Sequence, residues 1–323
     1  MRLIEALLFE AVNPKAIIMG GGAGVGKSSL VNKFKDSASN WAYFNPDKYA
    51  RDPQNPMYKN LSAASVQNKK DVAAALEGEK PNMIWDTTAN NPAEVMKVAQ
   101  AGYDVLMFMV YTHPMISFFN NFERAKEPGE ESVPVATVLQ TWTSAYKPEL
   151  INTYKEAFGK NFHLVDNPGA PDRKGQYDKY IAEFNEAMKK GVDGLKEYFK
   201  GLAEKPEFKS TYSKGMPDLP ADVKADYDKN VKELGLTLTP DEDKKLQREV
   251  LKYYSDKGEF HPAVKTGRQG GYAEKLESIQ KAAQRQKELM DGVYNDLYNR
   301  MKDTVADTVT PDQAADIAKQ FIG

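Results

Sequence analysis

Short apolar runs recur through the first half of the chain, and each is followed by a segment with helical spacing. The runs cover residues 16–19, 41–44, 82–85, 104–111 and 161–165. Alternating strand and helix patterns are typical of an α/β fold whose sheet is mainly parallel. In such folds ligands bind beyond the carboxyl ends of the strands. The pattern therefore predicts a five-stranded parallel sheet with flanking helices.

The second half of the chain has a different pattern, with long charged segments of helical period and little strand signal. Residues 180–202 place Ile181, Phe184 and Phe199 on one face of what reads as a single helix. We expect two domains: residues 1–170 with the sheet, and an all-α extension over residues 171–323. A last short helix is predicted after the capping pair Thr310 and Gln313.

Apolar residues between positions 276 and 297 follow the heptad spacing of a helix that packs against another helix. The partner helix lies either in the same chain or in a second chain. The helical extension is therefore a candidate surface for a protein partner or for self-association.

A glycine-rich stretch, "IMGGGAGVGKSSL", joins the first predicted strand to the first predicted helix. It fits the phosphate-binding P-loop, G-x-x-x-x-G-K-[ST]. Glycines let backbone N–H groups converge on a phosphate, and the helix adds its positive end. The predicted nucleotide-binding residues are Gly21, Gly22, Gly24, Gly26, Lys27, Ser28 and Ser29. In this motif the lysine reaches the β- and γ-phosphates and the serine ligates Mg²⁺, so the motif predicts ATP and Mg²⁺ as cofactors in a P-loop NTPase or kinase fold.

An acid follows the second predicted strand, in the sequence "FNPDKY". A carboxylate at this position can reach the hydroxyl of a second substrate beside the γ-phosphate and accept its proton. Asp47 is therefore a candidate catalytic base. The same residues also suit an Asx turn after a strand, which would give Asp47 no chemical role.

A second acid, Asp86, ends the third predicted strand in "NMIWDTT". Beside a P-loop, such an acid can hold a Mg²⁺-bound water or a substrate hydroxyl. Thr87, Thr88 and Asn90 are candidate hydrogen-bonding groups for a polar acceptor. The N-cap of the following helix would explain one of the three equally well.

Composition narrows the function classes. Lys and Arg total 44 against 46 Asp and Glu, so the net charge of -2 gives no general attraction to nucleic acid or anionic lipid. The absence of cysteine excludes thiolate catalysis, and three histidines make a His-rich metal site unexpected. The most apolar run, residues 105–111, is far shorter than a membrane span. We expect a cytoplasmic protein with no membrane contact.

The P-loop, the "NPD" acid, the "DTT" after the third strand and "FERAKEPGEESVP" after the fourth together resemble the zeta toxin family of P-loop kinases. The resemblance covers about residues 15–167. It implies transfer of the ATP γ-phosphoryl group to a hydroxyl of a nucleotide-sugar, UDP-N-acetylglucosamine. It also implies that Lys27 and Ser28 bind phosphate and Mg²⁺. By the same resemblance, Asp47 is the base and Asp86 contacts the acceptor. Arg124 would neutralise the negative charge on the transferred phosphoryl group.

One departure from the family pattern lies in the segment after Arg124. The family usually has a basic residue before its "VP" pair, whereas this chain has Glu130 and Glu131 before Ser132. The missing cation leaves two other functions open. The first is a nucleotide-binding or vestigial P-loop module of a larger assembly, docked through its helical half. The second is a polynucleotide 5'-hydroxyl kinase, although the sequence shows no basic, aromatic-lined channel for a single strand.

Overall fold

The sheet is the centre of the fold and carries the P-loop at its carboxyl edge. The computed structural model describes residues 13–52, 54–55, 61–126, 132–208, 219, 221–233, 235–238, 242–244, 246–247, 270–302 and 307–323. The strands are β1 (Lys15–Gly20), β2 (Ala42–Phe44), β3 (Met83–Asp86), β4 (Asp104–Tyr111), β5 (Phe162–Asp166) and β6 (Thr308–Val309). All five predicted strands are therefore confirmed within about one residue at either end.

The sheet is parallel throughout, in the order β2-β3-β1-β4-β5-β6. Met19 pairs with Asp86 on one side of β1 and with Phe108 on the other. Because β1 lies between β3 and β4, the loop after β1 sits where the strand order changes direction, which is the usual ligand crevice of such sheets. The predicted α/β fold, with a P-loop kinase-like sheet and a helical C-terminal half, is confirmed.

Helices cover the sheet and form most of the second half of the described chain. They are α1 (Lys27–Asn32), α2 (Asp47–Ala50), α3 (Leu61–Glu77), α4 (Pro92–Gln100), α5 (Pro114–Arg124), α6 (Val135–Ala145), α7 (Pro148–Phe158), α8 (Lys174–Lys189), α9 (Gly191–Glu204), α10 (Ala221–Glu233), α11 (Gly270–Arg300) and α12 (Pro311–Ile322). Helix α1 buries Leu30 and Val31, and Phe34 just after the helix is also buried. Among the described residues, none of these helices is both long and apolar enough to cross a bilayer.

The single helix predicted over residues 180–202 is wrong, because the chain reverses at Gly191. That glycine has φ +78°, a conformation that other residues rarely adopt, and it separates α8 from α9. The two helices then pack together, with the rings of Phe184 and Phe199 6.1 Å apart. A Cβ at Gly194 would lie 2.4 Å from the backbone oxygen of Ala187. The glycines that weaken a continuous helix thus allow a close helical pair.

Strand β6 is the element that the sequence pattern does not predict. It pairs with β5 through Leu164 and Val165, so the chain returns to the sheet after the long helical segment. The capping pair predicted for α12 is confirmed, because Thr310 and Gln313 form a reciprocal capping box. The predicted boundary near residue 170 stays a prediction, and residues on its C-terminal side complete the sheet.

The chain divides into two compact units, one of residues 1–212 with 293–323 and the other of residues 213–292. The first unit contains the sheet. In the second, Tyr227 is buried and its hydroxyl donates to Asp243 Oδ1 at 2.6 Å. The predicted heptad segment lies on α11, where Val293 and Leu297 are buried. The structure does not describe most side chains in the first half of that segment.

Two lysines tie α12 to the rest of the first unit in different ways. Lys15 Nζ donates to the backbone oxygens of Phe321 at 2.7 Å and Ile322 at 3.2 Å. A lysine at a helix C-terminus satisfies unpaired carbonyl groups and complements the helix dipole. Lys33 instead pairs at 2.8 Å with Asp312, whose side chain is 84% exposed.

We predict that Lys15→Met lowers the free energy of unfolding by about 1–3 kcal/mol, because it removes charged hydrogen bonds to partly buried carbonyls. Lys33→Met should lower it much less, since exposed ion pairs contribute little. Urea denaturation of the two variants measures both values. Equal losses would contradict the different roles assigned to the two lysines.

Candidate functional site

The P-loop follows β1 in a conformation that requires glycine. Gly24 has φ +75° and Gly26, the residue before α1, has φ +93°. A Cβ at Gly24 would lie 2.2 Å from the backbone oxygen of Ser117, and a Cβ at Gly26 would lie 2.2 Å from Asn167 Nδ2. The loop is therefore both left-handed and crowded at these positions, so side chains are excluded there.

Polar side chains from distant elements hold the P-loop in this shape. Asn167 Nδ2 donates to the backbone oxygen of Val25 at 2.7 Å, and Asn120 Nδ2 donates to that of Gly24 at 3.1 Å. The backbone N–H of Ala23 donates to Thr141 Oγ1 at 3.2 Å, while its carbonyl oxygen accepts from Ser117 Oγ. These supports occupy carbonyl groups of the loop. None of these four side chains is predicted from the sequence, since none belongs to a recognisable local motif.

Lys27 is held between the P-loop backbone and the end of β3. Its Nζ donates to the carbonyl oxygens of Gly21 and Gly22, both at 3.0 Å. The same atom lies 3.7 Å from Asp86 Oδ1, and the two side chains are only 13% and 8% exposed. The lysine and the acid that the sequence singles out separately therefore form one largely buried ion pair.

Burial has the largest effect on the pKa of the Asp86 carboxyl group. Desolvation raises the pKa of its carboxyl group to about 6, although the Lys27 ammonium opposes this shift and the nearby Asp47 carboxylate adds to it. Asn45 Nδ2 lies 3.4 Å from Asp86 Oδ2 and also donates to the Tyr43 hydroxyl at 2.9 Å. The acid is thus fixed on one side by the P-loop lysine and on the other by the end of β2.

Asp47 lies at the start of α2, where the predicted turn is also present. Asn45 Oδ1 accepts from the Asp47 backbone N–H at 2.8 Å, as in an Asx turn. The turn leaves the Asp47 carboxylate available for other contacts. Its Oδ2 pairs with the Arg51 guanidinium and lies 3.9 Å from Arg124 NH1. Asp47 and Arg124, predicted to act together, are therefore neighbours.

The polar residues after β3 shape the loop that leads to α4. The backbone oxygen of Thr88 accepts from Gly21 N at 3.3 Å, which connects this loop to the P-loop. Thr88 Oγ1 donates to Asn90 Oδ1 at 3.3 Å. The N-cap of α4 is Asn91, whose side chain accepts from Ala93 N. Helix capping therefore explains none of Thr87, Thr88 and Asn90.

One cavity of about 1080 Å³ collects most of the predicted site residues. Those that line it are Gly24, Gly26, Lys27, Ser28, Ser29, Asp47, Asp86, Thr87, Thr88 and Arg124. Gly21 and Gly22 do not line it, and their carbonyl oxygens accept from Lys27, while Asn90 lines a smaller neighbouring cavity. Arg173 and Asp312, from the second half of the chain, also line the large cavity.

Candidate oxygen ligands for a metal lie on two elements in this cavity. Ser28 is the second residue of α1 and Asp86 ends β3, and both line the cavity. Hydroxyl and carboxylate oxygens suit Mg²⁺, which takes few protein ligands when it is bound with a nucleotide. Within the described ranges, no group of three or more His, Cys, Asp or Glu residues forms a metal site of its own. The acidic segment at residues 127–131, including Glu130 and Glu131, lies outside the described residues.

Residues 5–144 match the sequence model of the zeta toxin family. This segment is zeta toxin-like. It contains the P-loop, Asp47, Asp86 and Arg124, so the resemblance expected from those residues is confirmed. Together, the zeta toxin-like segment and the P-loop geometry support a kinase-like phosphotransferase.

The solved structures that are similar to the chain each cover about half of its length. The AvrRxo1-ORF1:AvrRxo1-ORF2 complex with sulphate ions is 12% identical with a TM-score of 0.39, covering 51% of this chain and 58% of that one. The PezAT toxin-antitoxin system of Streptococcus pneumoniae is 18% identical with a TM-score of 0.33, covering 51% and 74%. Shikimate kinase from Acinetobacter baumannii is 11% identical with a TM-score of 0.31, covering 53% and 92%. No curated protein sequence gives a significant match.

The raised pKa of Asp86 predicts a pH-dependent cost to stability. The folded protein favours the protonated acid, so the free energy of unfolding falls as the pH rises from about 4 to about 6, and the cost is constant above that. Asp86→Asn removes this cost. The free energy of unfolding of this variant should exceed that of the wild type by about 3 kcal/mol at pH 7, and the two values should be similar at pH 4.

Urea denaturation of wild type and Asp86→Asn at the two pH values measures the difference. A second variant, Asp36→Asn, is the matched control, because this carboxyl group is exposed and lies in a 3₁₀ helix whose residues do not line the large cavity. The stability of Asp86→Asn relative to the wild type should increase as the pH rises, whereas that of Asp36→Asn should not. A destabilised Asp86→Asn variant at pH 7 would show that the pair with Lys27 outweighs burial of the charge.

Proposed function

We propose that the protein is an ATP-dependent phosphotransferase that moves the γ-phosphoryl group to a hydroxyl of a small molecule, of the UDP-N-acetylglucosamine type. The observation that carries the proposal is the convergence of Lys27, Asp86, Asp47 and Arg124 on one cavity beside the P-loop. A phosphate, a metal, a proton acceptor and a charge-neutralising group are what phosphoryl transfer to an alcohol requires. The zeta toxin-like sequence supports the same reaction.

The P-loop residues fit ATP and Mg²⁺. A Cβ at Gly24 or Gly26 would collide with Ser117 or Asn167, so only glycine permits the loop conformation whose backbone N–H groups would bind a phosphate. The Lys27 ammonium would bind the β- and γ-phosphates, and Ser28 and Asp86 would hold Mg²⁺. Bound Mg²⁺ supplies positive charge that neutralises the phosphate oxygens during transfer.

Asp47 would accept the proton of the attacking hydroxyl. Its carboxylate lies at the cavity wall, and pairing with Arg51 and Arg124 fixes its position. Arg124 would at the same time face the transferred phosphoryl group, whose negative charge it can offset. Thr87 and Thr88 line the same wall and would hydrogen-bond the acceptor.

The test is incubation with γ-labelled ATP and Mg²⁺ over UDP-N-acetylglucosamine, other nucleotide-sugars, nucleosides and oligonucleotides. Label in UDP-N-acetylglucosamine supports the proposal. Label in an oligonucleotide 5' end supports a polynucleotide kinase instead. ATP binding with no transfer to any acceptor supports a nucleotide-binding module of a larger assembly.

Lys27→Ala should abolish ATP binding, because its ammonium is the point charge that faces the phosphates. The fold should remain, which circular dichroism measures. Lys155→Ala removes the same charge from the exposed side of α7 and should keep wild-type affinity. Isothermal titration calorimetry with ATP and Mg²⁺ compares the variants, and unchanged affinity in Lys27→Ala would remove the P-loop assignment.

Asp47→Asn should keep ATP affinity and lower turnover by about 10²- to 10⁴-fold, because proton transfer loses its acceptor. Arg51→Met is the informative comparison, since it breaks the Asp47–Arg51 pair but leaves the carboxylate in place. If Asp47 only anchors α2, the two variants should lose similar activity. A base requires a much larger loss in Asp47→Asn, measured with the acceptor that the labelling assay identifies.

A further inference from the structure

Asn45 lies between the two acids of the site, just after β2. Strand β2 pairs with β3 through Phe44 and Trp85. The next residues along the chain, Asn45 and Asp86, are therefore neighbours at the carboxyl edge of the sheet. Asp47 follows two residues after Asn45 and is the first residue of α2. One amide side chain thus stands next to both acids.

The Asn45 amide bonds in two directions. Its Oδ1 accepts from the Asp47 backbone N–H at 2.8 Å, which fixes the first turn of α2. Its Nδ2 lies on the other side, 3.4 Å from Asp86 Oδ2. The backbone oxygen of Asn45 also accepts from Lys48 N at 3.1 Å. The amide therefore links the start of α2 to the carboxylate at the end of β3.

Tyr43 helps to determine which way the Asn45 amide faces. The Tyr43 hydroxyl accepts from Asn45 Nδ2 at 2.9 Å, so each of the two amide hydrogens has an acceptor. A reversed amide would place its oxygen against the Asp86 carboxylate and its NH₂ group against the Asp47 N–H. Only one orientation of the amide therefore satisfies all three neighbours.

The two acids repel each other, so their spacing needs support. After burial, which has the largest effect, the Asp47 carboxylate also raises the pKa of Asp86, so the two charges are close enough to interact. The Asp47 carboxylate is held on its other side by Arg51 and lies 3.9 Å from Arg124 NH1. The arginines thus hold the carboxylate of Asp47, whereas Asn45 holds the backbone that carries it.

We propose that Asn45 is a positioning residue that sets the spacing of Asp47 and Asp86 for phosphoryl transfer. The proposal rests on the proposed function, in which Asp47 accepts the hydroxyl proton and Asp86 holds Mg²⁺. Both acids must face the same phosphoryl group, and a displacement of about 1 Å can lower a rate about 10²-fold. Although Asn45 lines the large cavity, its amide hydrogens are directed to Tyr43 and Asp86, so it acts through the acids.

Asn45→Ser separates the two sides of the amide. Serine keeps a hydroxyl that can accept from the Asp47 N–H, as it does in turns of this kind, but it lacks the amide that reaches Asp86. The variant should keep the ATP affinity of the wild type and lower kcat at least about tenfold. Calorimetry with ATP and Mg²⁺ measures the affinity, and the acceptor found in the labelling assay is used for kcat. A kcat close to the wild-type value would overturn the proposal.

Asp52→Ala is the matched control. Asp52 Oδ1 accepts from Gln54 N at 2.9 Å in the same kind of turn, but the side chain is exposed and does not line the large cavity. This variant should keep the wild-type kcat. Urea denaturation of both variants detects a purely structural role for Asn45, in which Asn45→Ser is less stable than the wild type but has a normal kcat while folded.

A double-mutant cycle tests whether Asn45 acts through Asp47. Asn45→Ser is introduced into the wild type and into Asp47→Asn, and kcat is compared in each background. A residue that positions the base has little to position once the base is removed, so the loss in the Asp47→Asn background should be much smaller. Equal fold losses in the two backgrounds would show that Asn45 acts independently of Asp47 and would overturn the proposal.

Crystal structures of the wild type and of Asn45→Ser give a measurement that does not depend on turnover. Without the amide, the carboxylates of Asp47 and Asp86 should lie further apart, by about 1 Å, the scale of displacement that impairs catalysis. An unchanged spacing would overturn the proposal.

The two levels of proposal fail in different ways. Transfer by the wild type, with an unchanged kcat in Asn45→Ser, would refute the role of Asn45 and keep the proposed function. No transfer by the wild type to any acceptor would refute the proposed function and, with it, the catalytic use of this spacing.

Discussion

The buried contact between Lys27 and Asp86 is the constraint around which the site is built. Parallel pairing of β1 with β3 places Met19 opposite Asp86, so the acid comes to lie beside the start of the P-loop. A carboxylate removed from water is costly unless a cation compensates it, and the lysine at 3.7 Å offsets part of that cost. The lysine also donates to the carbonyl oxygens of Gly21 and Gly22, so it connects the acid at the end of β3 to the P-loop.

The conformation of the P-loop also depends on side chains that come later in the chain. Ser117 and Asn120 lie on α5, Thr141 lies on α6, and Asn167 follows β5. Each bonds the loop backbone, so the phosphate-binding curve is preorganised by neighbouring segments of the fold. Preorganised backbone groups need little rearrangement when a charged ligand arrives. The glycine-rich motif supplies the permissive backbone, and the surrounding elements select its shape.

The sequence predicts five strands of the sheet and the two acids of the site, because the patterns that indicate them are local. Apolar runs mark the strands, and Asp47 and Asp86 can be recognised because each lies within three residues of the end of a run. Strand β6 has only two residues, too few for a periodic pattern, and is defined by pairing with β5. Asn120 and Asn167 are ordinary polar residues in sequence. Their positions beside the site come from tertiary packing, which no local pattern encodes.

The return of the chain to the sheet has a consequence for synthesis on the ribosome. β5 presents an unpaired edge until Thr308 and Val309 emerge, after the whole helical segment has been made. Exposed parallel edges of this kind can pair with other nascent chains, and long-range pairing forms slowly. The N-terminal strands can assemble first as the chain lengthens, whereas the closing strand must wait. Nascent chains of this protein therefore have a window of aggregation risk, and chaperones that shield β5 would raise the yield of folded protein.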